Sequence, residues 1–285
     1  MAIQYLDKHR PLGKHQYAVI DRMKVPVLPE HWPCTELISP VLAPQAHIYP
    51  WLIPLHQFSP EEWRAFMATQ VQQTIPHECT LLLSSSLTVE EIRSALIGAL
   101  HFKDKQQRGY ILRYYDPRVL FHLHWMLKPA QLFNQLSARG IPFWTFWHDG
   151  NWSTLEFTED TEPPCRDNMV FPLEQLRRIG QINLVLKSVT STGDIDGGQQ
   201  TSCKINALLE QAEMCGLSVQ EDCIAFASHG LVQPEGFWKA PKMATFLEQV
   251  RHFPGCYRDE THLWDDNHWQ EMTSEDSRRH KIELF

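Results

Sequence analysis

The chain has 285 residues, 43% hydrophobic and 21% charged, with a net charge of −8 at pH 7. This is a globular balance with ample material for a core. The acidic total argues against sequence-independent nucleic-acid binding, which needs a positive surface. No apolar run reaches the roughly 20 residues that cross a bilayer.

Tyr17-Ala18-Val19-Ile20-Asp21 reads as a first strand. The Pro-rich stretch from Pro26 to Pro54 leaves room only for short strands, the best being Ile48 to Leu55. Ser59 as cap, Pro60 in the first turn and Glu62 three residues after the cap open a helix running to about Gln73. Cys79 to Ser84 is a continuous apolar strand of the buried kind. Thr88 and Glu91 make a second capping box, opening a helix with Ile92, Leu96, Ala99 and Leu100 at helical spacing. Tyr110 to Tyr115 reads as a strand with Ile111, Arg113 and Tyr115 on one face and Leu112 and Tyr114 on the other. Asp116 then caps a helix over residues 117–127, with Pro117 suited to its first turn. A helix from Pro129 to Arg139 is expected to end at Gly140 as a left-handed cap. Phe143–Trp147 and Trp152–Phe157 form a hairpin around Asp149-Gly150-Asn151. Strand and helix alternate to about residue 157, which predicts an α/β layer architecture with a mostly parallel or mixed sheet.

The acidic, Pro-containing segment Glu159 to Pro164 is the candidate linker. Beyond it the chain reads mainly helical, with stretches at Leu173–Leu186, Ser202–Cys215 (Ile205, Leu208, Leu209 and Ala212 as its stripe) and Ala240–His252. Between the last two, a helix capped by Ser218 and Glu221 stops at Gly230. The expected organisation is an α/β lobe over residues 1–160 and a helical lobe over residues 161–285. Residues 258–285 carry eight acidic and four basic side chains, half of the net charge. That tail is a solvated terminus or a docking surface for a basic partner.

Catalytic and metal motifs are absent. There is no G-x-S-x-G, H-E-x-x-H, phosphate loop or dinucleotide fingerprint. His122 and His124 diverge by about 200° on a helix and cannot share a metal. Asp194-Ile195-Asp196-Gly197-Gly198 hints at a calcium loop, but Gln199 and Ile205 stand where an EF-hand wants Gly and Glu. Ser84-Ser85-Ser86 lies between a strand and a helix cap, a place for a nucleophile or for a turn that satisfies its own backbone. No catalytic residue, metal ligand or cofactor is assigned. Seven scattered cysteines without a C-x-x-C pair read as reduced thiols. Met1-Ala2-Ile3-Gln4 lacks the pattern of a secretory leader, so a soluble, cytoplasmic protein is expected.

What remains is Arg113, Tyr115, Asp116, Pro117 and Arg118, at the end of a predicted strand, where α/β sheets place sites. On a local reading Asp116 caps the helix and both arginines pair with it. On a functional reading the arginine forks clamp a peptide or a carboxylate. Ten Trp and fourteen Phe fill a core or anchor a protein partner.

The run Leu112-Arg113-Tyr114-Tyr115-Asp116-Pro117-Arg118-Val119-Leu120 resembles the hallmark of the family called domain of unknown function 4123, adaptor chaperones of bacterial type VI secretion effectors. Tyr17–Asp21 is similar to that family's opening strand, and Ala46–Leu52 resembles its aromatic-or-proline-then-leucine strand. Trp63 and the Leu81–Leu100 strand–helix unit fit its middle. Thr35-Glu36-Leu37-Ile38 departs from it by lacking the glycine of the family's Leu-aromatic-x-Gly strand. The resemblance spans residues 17 to about 140. It implies a non-enzymatic protein that binds one cognate secreted effector, a toxin, in the cytoplasm and helps load it onto a VgrG-type spike, with no nucleic acid and no membrane insertion. The alternatives are a hydrolase-like enzyme using Ser84–Ser86 and a structural subunit of an assembly.

Overall fold

The apolar runs of the first half of the chain form a sheet covered on both faces. The computed structural model describes residues 2–38, 47–72, 74–104, 106, 108–158, 171–190 and 198–274, in two units, Met1–Leu176 and Arg177–Phe285. The linker expected at residues 159–164 lies outside the described residues. In the first unit seven strands pair in the order β1 (Ala2–Tyr5), β9 (Asn151–Thr158), β8 (Phe143–His148), β5 (Thr80–Ser84), β2 (Tyr17–Ile20), β4 (Trp51–Pro54) and β3 (Thr35–Glu36).

Among the described residues every pairing is antiparallel, which corrects the expected parallel or mixed sheet. Two physical reasons account for the difference. β4 and β5 both flank β2 in antiparallel fashion and so run parallel to each other, but β2 lies between them. Helix α1 (Pro60–Val71) therefore crosses over an intervening strand. In addition, β2 and β5 are buried at every position. Burial on both faces makes a strand apolar throughout, whichever way its neighbours run.

Ala18, Ile20, Ile53 and Leu82 meet Phe66 of α1 on one face, together with Val25, Leu28 and Trp32 from the Pro-rich stretch. Trp144 alternates to the other face. There it meets Tyr114 edge-on at 5.7 Å, and the Tyr114 hydroxyl donates to the Leu96 carbonyl of α2 (Val89–Ala99) at 3.0 Å. From α3 (Pro117–Met126), Phe121 stacks on His148 at 3.9 Å and His124 packs on Tyr5 at 4.7 Å.

The local signals hold where they involve neighbours in sequence. Ser59 and Glu62 exchange hydrogen bonds at 2.7 and 3.2 Å, and Thr88 and Glu91 close the second capping box. Asp149 and Gly150, with φ of 49° and 76°, turn β8 into β9, the handedness a two-residue hairpin needs. The strand expected over residues 110–115 is shorter. β7 (Gly109–Ile111) pairs with β6 (His101–Lys103) alone, and then Leu112, Tyr114 and Tyr115 all turn inward, breaking the period of two. α4 (Pro129–Gln135) ends before Gly140. Ser137 takes φ of 49°, and the Ser137 and Ala138 amides bond back to the Asn134 and Phe133 carbonyls, closing the helix as a Schellman motif.

α5 (Leu173–Arg177) reaches the division between the units. The helix expected from Leu173 to Leu186 is broken at Arg178, and α6 (Ile179–Thr190) begins after it. Arg178 bonds Glu213 of α7 (Gln199–Met214) through two nitrogens, at 3.1 and 2.8 Å. The stripe Ile205, Leu208, Leu209 and Ala212 is buried as expected. α8 (Gln220–Val232) differs twice. Val219, not Ser218, is its N-cap. Gly230 does not stop it: a side chain there would collide with Leu208, so the glycine serves the close approach of α7 and α8. α9 (Pro241–Val250), α10 (Cys256–Thr261) and α11 (Asp266–Thr273) complete the described unit. Asp222 of α8, 1% exposed, accepts the Gly255 and Arg258 amides at 2.8 and 2.9 Å, capping α10 from a different helix.

His15 in the first unit is buried, and His229 in the second is half-buried. His15 bonds Thr145 Oγ1 at 2.8 Å, and burial pushes its pKa down to about 4, against the raising effect of the Leu12 carbonyl. His229 lies 3.0 Å from the Tyr257 hydroxyl and 4.5 Å from the Trp269 ring, and burial lowers it to about 4 as well. Unfolded imidazoles titrate near 6.5, so between about pH 6.5 and 4 the unfolded chain binds protons that the folded chain refuses. Urea unfolding from pH 7 to 4.5 should show stability falling on acidification, with a slope approaching ~1.4 kcal/mol per pH unit for each imidazole. A flat profile over this window would contradict the assignment.

Candidate functional site: the Arg113–Arg118 corner

The corner stands where the β6–β7 ribbon ends and α3 begins. Asp116 adopts an extended backbone with φ of −78° and ψ of 115°, and its carboxylate accepts the Arg118 amide at 3.1 Å. It is thus the N-cap of α3, with Pro117 in the first turn. The Arg118 side chain returns to the same carboxylate, Nε to Oδ1 at 3.0 Å and Nη2 to Oδ2 at 2.7 Å, a two-point fork. Burial by itself raises the Asp116 carboxyl, but the hydrogen bonds and charge of Arg118, with help from Lys24, outweigh it. The net position is below the usual carboxylate range.

Arg113 takes a different partner. Its Nη2 donates to Asp21 Oδ2 at 2.9 Å across 92 residues of sequence. Asp21 is 2% exposed and follows directly on β2. Its Oδ1 accepts the Met23 amide at 3.0 Å, and its own amide donates to the Cys79 carbonyl at 3.0 Å. The Arg113 guanidinium lies 5.5 Å from the centre of the Tyr115 ring. The Tyr115 hydroxyl donates to the Ile48 carbonyl at 3.1 Å; burial pushes its pKa up to about 12, against the pull of Arg113. Cys79 is 1% exposed, and burial pushes its thiol up to about 11, with Lys24 opposing, so it is no nucleophile at neutral pH.

Arg113, Tyr115, Asp116, Pro117 and Arg118 therefore do gather in one corner. Asp21, Cys79 and Lys24 join them, and sequence reasoning did not single these out. The available signal was Asp21 itself, a carboxylate at the end of a wholly apolar strand. Chemically, the corner offers two guanidinium forks already held by carboxylates of this chain. The Arg113 and Arg118 side chains remain 37% and 49% exposed, while the Arg113 Nε is buried and has no hydrogen-bond partner among the described residues.

Ser84, Ser85 and His122 are engaged by the chain itself, while Ser86 is exposed. Ser84 Oγ donates to the Lys14 carbonyl at 3.2 Å and Ser85 Oγ to the Gly140 carbonyl at 2.6 Å. His122 Nδ1 accepts from Trp125 Nε1 at 3.2 Å. Among the described residues no group of three His, Cys, Asp or Glu side chains could hold a metal ion, and no helix is long and apolar enough to cross a membrane. Residues 194–197 of the calcium-like sequence lie outside the described residues. The six described cysteines are free thiols.

Residues 17–133 match the model of a protein family described as Domain of unknown function (DUF4123). The match begins at β2 and takes in Asp21 and every residue of the corner. No curated protein and no solved structure matches the chain.

The two arginines should differ on removal. Arg113→Ala leaves the buried Asp21 carboxylate without its cationic partner and should cost about 2 kcal/mol. Arg118→Ala removes a half-exposed side chain while the capping amide stays, and should cost about 1 kcal/mol or less. Chemical denaturation of both variants checks this, and the reverse ranking would contradict the pairing described.

Proposed function

We propose that the chain is an adaptor chaperone that binds a cognate type VI secretion effector in the cytoplasm and helps load it onto a VgrG-type spike. The observation that carries this reading is the match of residues 17–133 to the DUF4123 family model, with the corner sequence from Leu112 to Leu120 inside it. The chemistry of the first unit agrees: Ser84 and Ser85 hydroxyls donate to backbone carbonyls, and the arginine forks sit on buried carboxylates. In this reading no bond is made or broken. Recognition rests on burial of aromatic and aliphatic side chains, and the exposed edges of Arg113 and Arg118 fix the register of the bound chain.

A tagged copy of the chain, recovered from its native cells, should bring down a secreted toxin or a spike protein. Recovery of ribosomal and metabolic proteins alone would refute the proposal. Arg118→Ala should weaken capture by about tenfold with the fold retained, the effect of losing one charge-assisted contact. Undiminished capture by the folded variant would remove the corner from the interface. Labelling of the chain by a fluorophosphonate probe would favour a serine enzyme instead.

A further inference from the structure

Beside the Ser84–Ser86 turn lies a groove of about 730 Å³, within the size range of ligand sites. We propose that this groove binds an acidic stretch of extended polypeptide, with Arg10 taking one of its carboxylates; the choice of polypeptide rests on the adaptor reading. The groove lies wholly within the first unit, at the ends of β5 and β8.

Arg10 is the group that points to this ligand. Its guanidinium lies over the Phe143 ring, 4.4 Å from the centroid. Stacking an arginine on an aromatic face leaves its in-plane N–H edge free for a carboxylate. Its Nε is buried and has no hydrogen-bond partner, so no group of the described chain occupies that donor. Its main-chain amide donates to Thr154 Oγ1 at 2.8 Å, which holds the residue in place. No carboxylate pairs with Arg10 among the described residues. Glu156, opposite Phe143 in the β8–β9 pairing, accepts instead from Gln4 Nε2 at 2.9 Å.

The surroundings supply the rest of the match. Asp7, Lys8, His9 and Lys14 are exposed neighbours of Arg10 in sequence, so with His neutral the segment from Asp7 to Lys14 sets Lys8, Arg10 and Lys14 against the single acid Asp7, in a chain of net charge −8. The other polar groups lining the groove are already engaged. Gln16 donates to the Lys14 carbonyl and accepts the Ser85 amide, while Ser84 and Ser85 bond backbone carbonyls. Arg10 and the exposed Ser86 are left to read a ligand. The walls are apolar, formed by Ala138, Pro142, Phe143 and Phe157. An extended segment in which carboxylates alternate with apolar side chains meets both requirements, since successive side chains point to opposite sides.

The test is fluorescence anisotropy with a labelled decapeptide alternating Glu and Leu, compared with one alternating Lys and Leu. The acidic peptide should bind, more weakly as salt is raised, and the basic one should not. Arg10→Gln should weaken binding about tenfold or more, the effect of losing one charge-assisted pair. Ser86→Glu, at an exposed position, should do the same by placing a carboxylate in the groove, and it decides the matter where Arg10→Gln unfolds. Failure of the acidic peptide to bind, equal binding of the two peptides, or unchanged affinity in either folded variant would overturn the proposal. Full-strength capture of an effector by a folded Arg10→Gln chain would sink the groove and leave the adaptor reading standing. Peptide binding in a chain that captures no toxin or spike would do the opposite.

Discussion

Asp21 and Asp116 are carboxylates taken out of water, 2% and 4% exposed, and such groups are tolerated only where donors meet them at once. Much of the first unit follows from that condition. Asp116 is satisfied locally, by the amide and fork of Arg118, and this sets where α3 begins. Asp21 is satisfied from far along the chain, by Arg113. To deliver that guanidinium the chain must leave β7 early and turn inward. The turn seats Tyr114 against Trp144 and brings the Tyr115 hydroxyl to the Ile48 carbonyl. One electrostatic requirement thereby ties the end of β2, the approach to β5 and the start of α3 into a single junction.

The same physics appears in the second unit in a simpler form. Asp222 is buried and is satisfied by two amides at the start of α10. A carboxylate at a helix N-terminus meets both the orphan N–H groups and the positive end of the helix dipole. There the buried charge orders two helices against each other through main-chain amides, those of Gly255 and Arg258.

Arginines play two different parts in the first unit. At the corner, Arg113 and Arg118 are held by carboxylates of the chain, so the junction is built before any ligand arrives. In the groove, Arg10 is held by its own backbone and by Phe143 but pairs with no acid among the described residues. The first arrangement stabilises architecture and leaves only guanidinium edges for recognition. The second leaves a charge available, in a groove where Gln16, Ser84 and Ser85 have backbone partners.

Features set by contacts within a few residues were legible in the sequence. The capping boxes at Ser59 and Thr88, the Asp116 cap, the Asp-Gly hairpin and the stripe of α7 all follow from neighbours three or four positions apart, where the chain itself brings the groups together. The five corner residues were legible as a cluster for the same reason. Sheet direction was not, because β2 and β5 are buried at every position and carry no mark of which neighbour they take. Nor was the partner of Arg113: Asp116 is closer in sequence, yet its carboxylate is filled by Arg118, and only the folded sheet brings Asp21 into reach across 92 residues. The break at Arg178 and the continuation of α8 through Gly230 depend likewise on Glu213 and Leu208 of a neighbouring helix. Local hydrogen bonding and side-chain periodicity were settled by the order of the residues; strand neighbours, long-range ion pairs and helix contacts were settled by packing, because their partners become neighbours only once the core has formed.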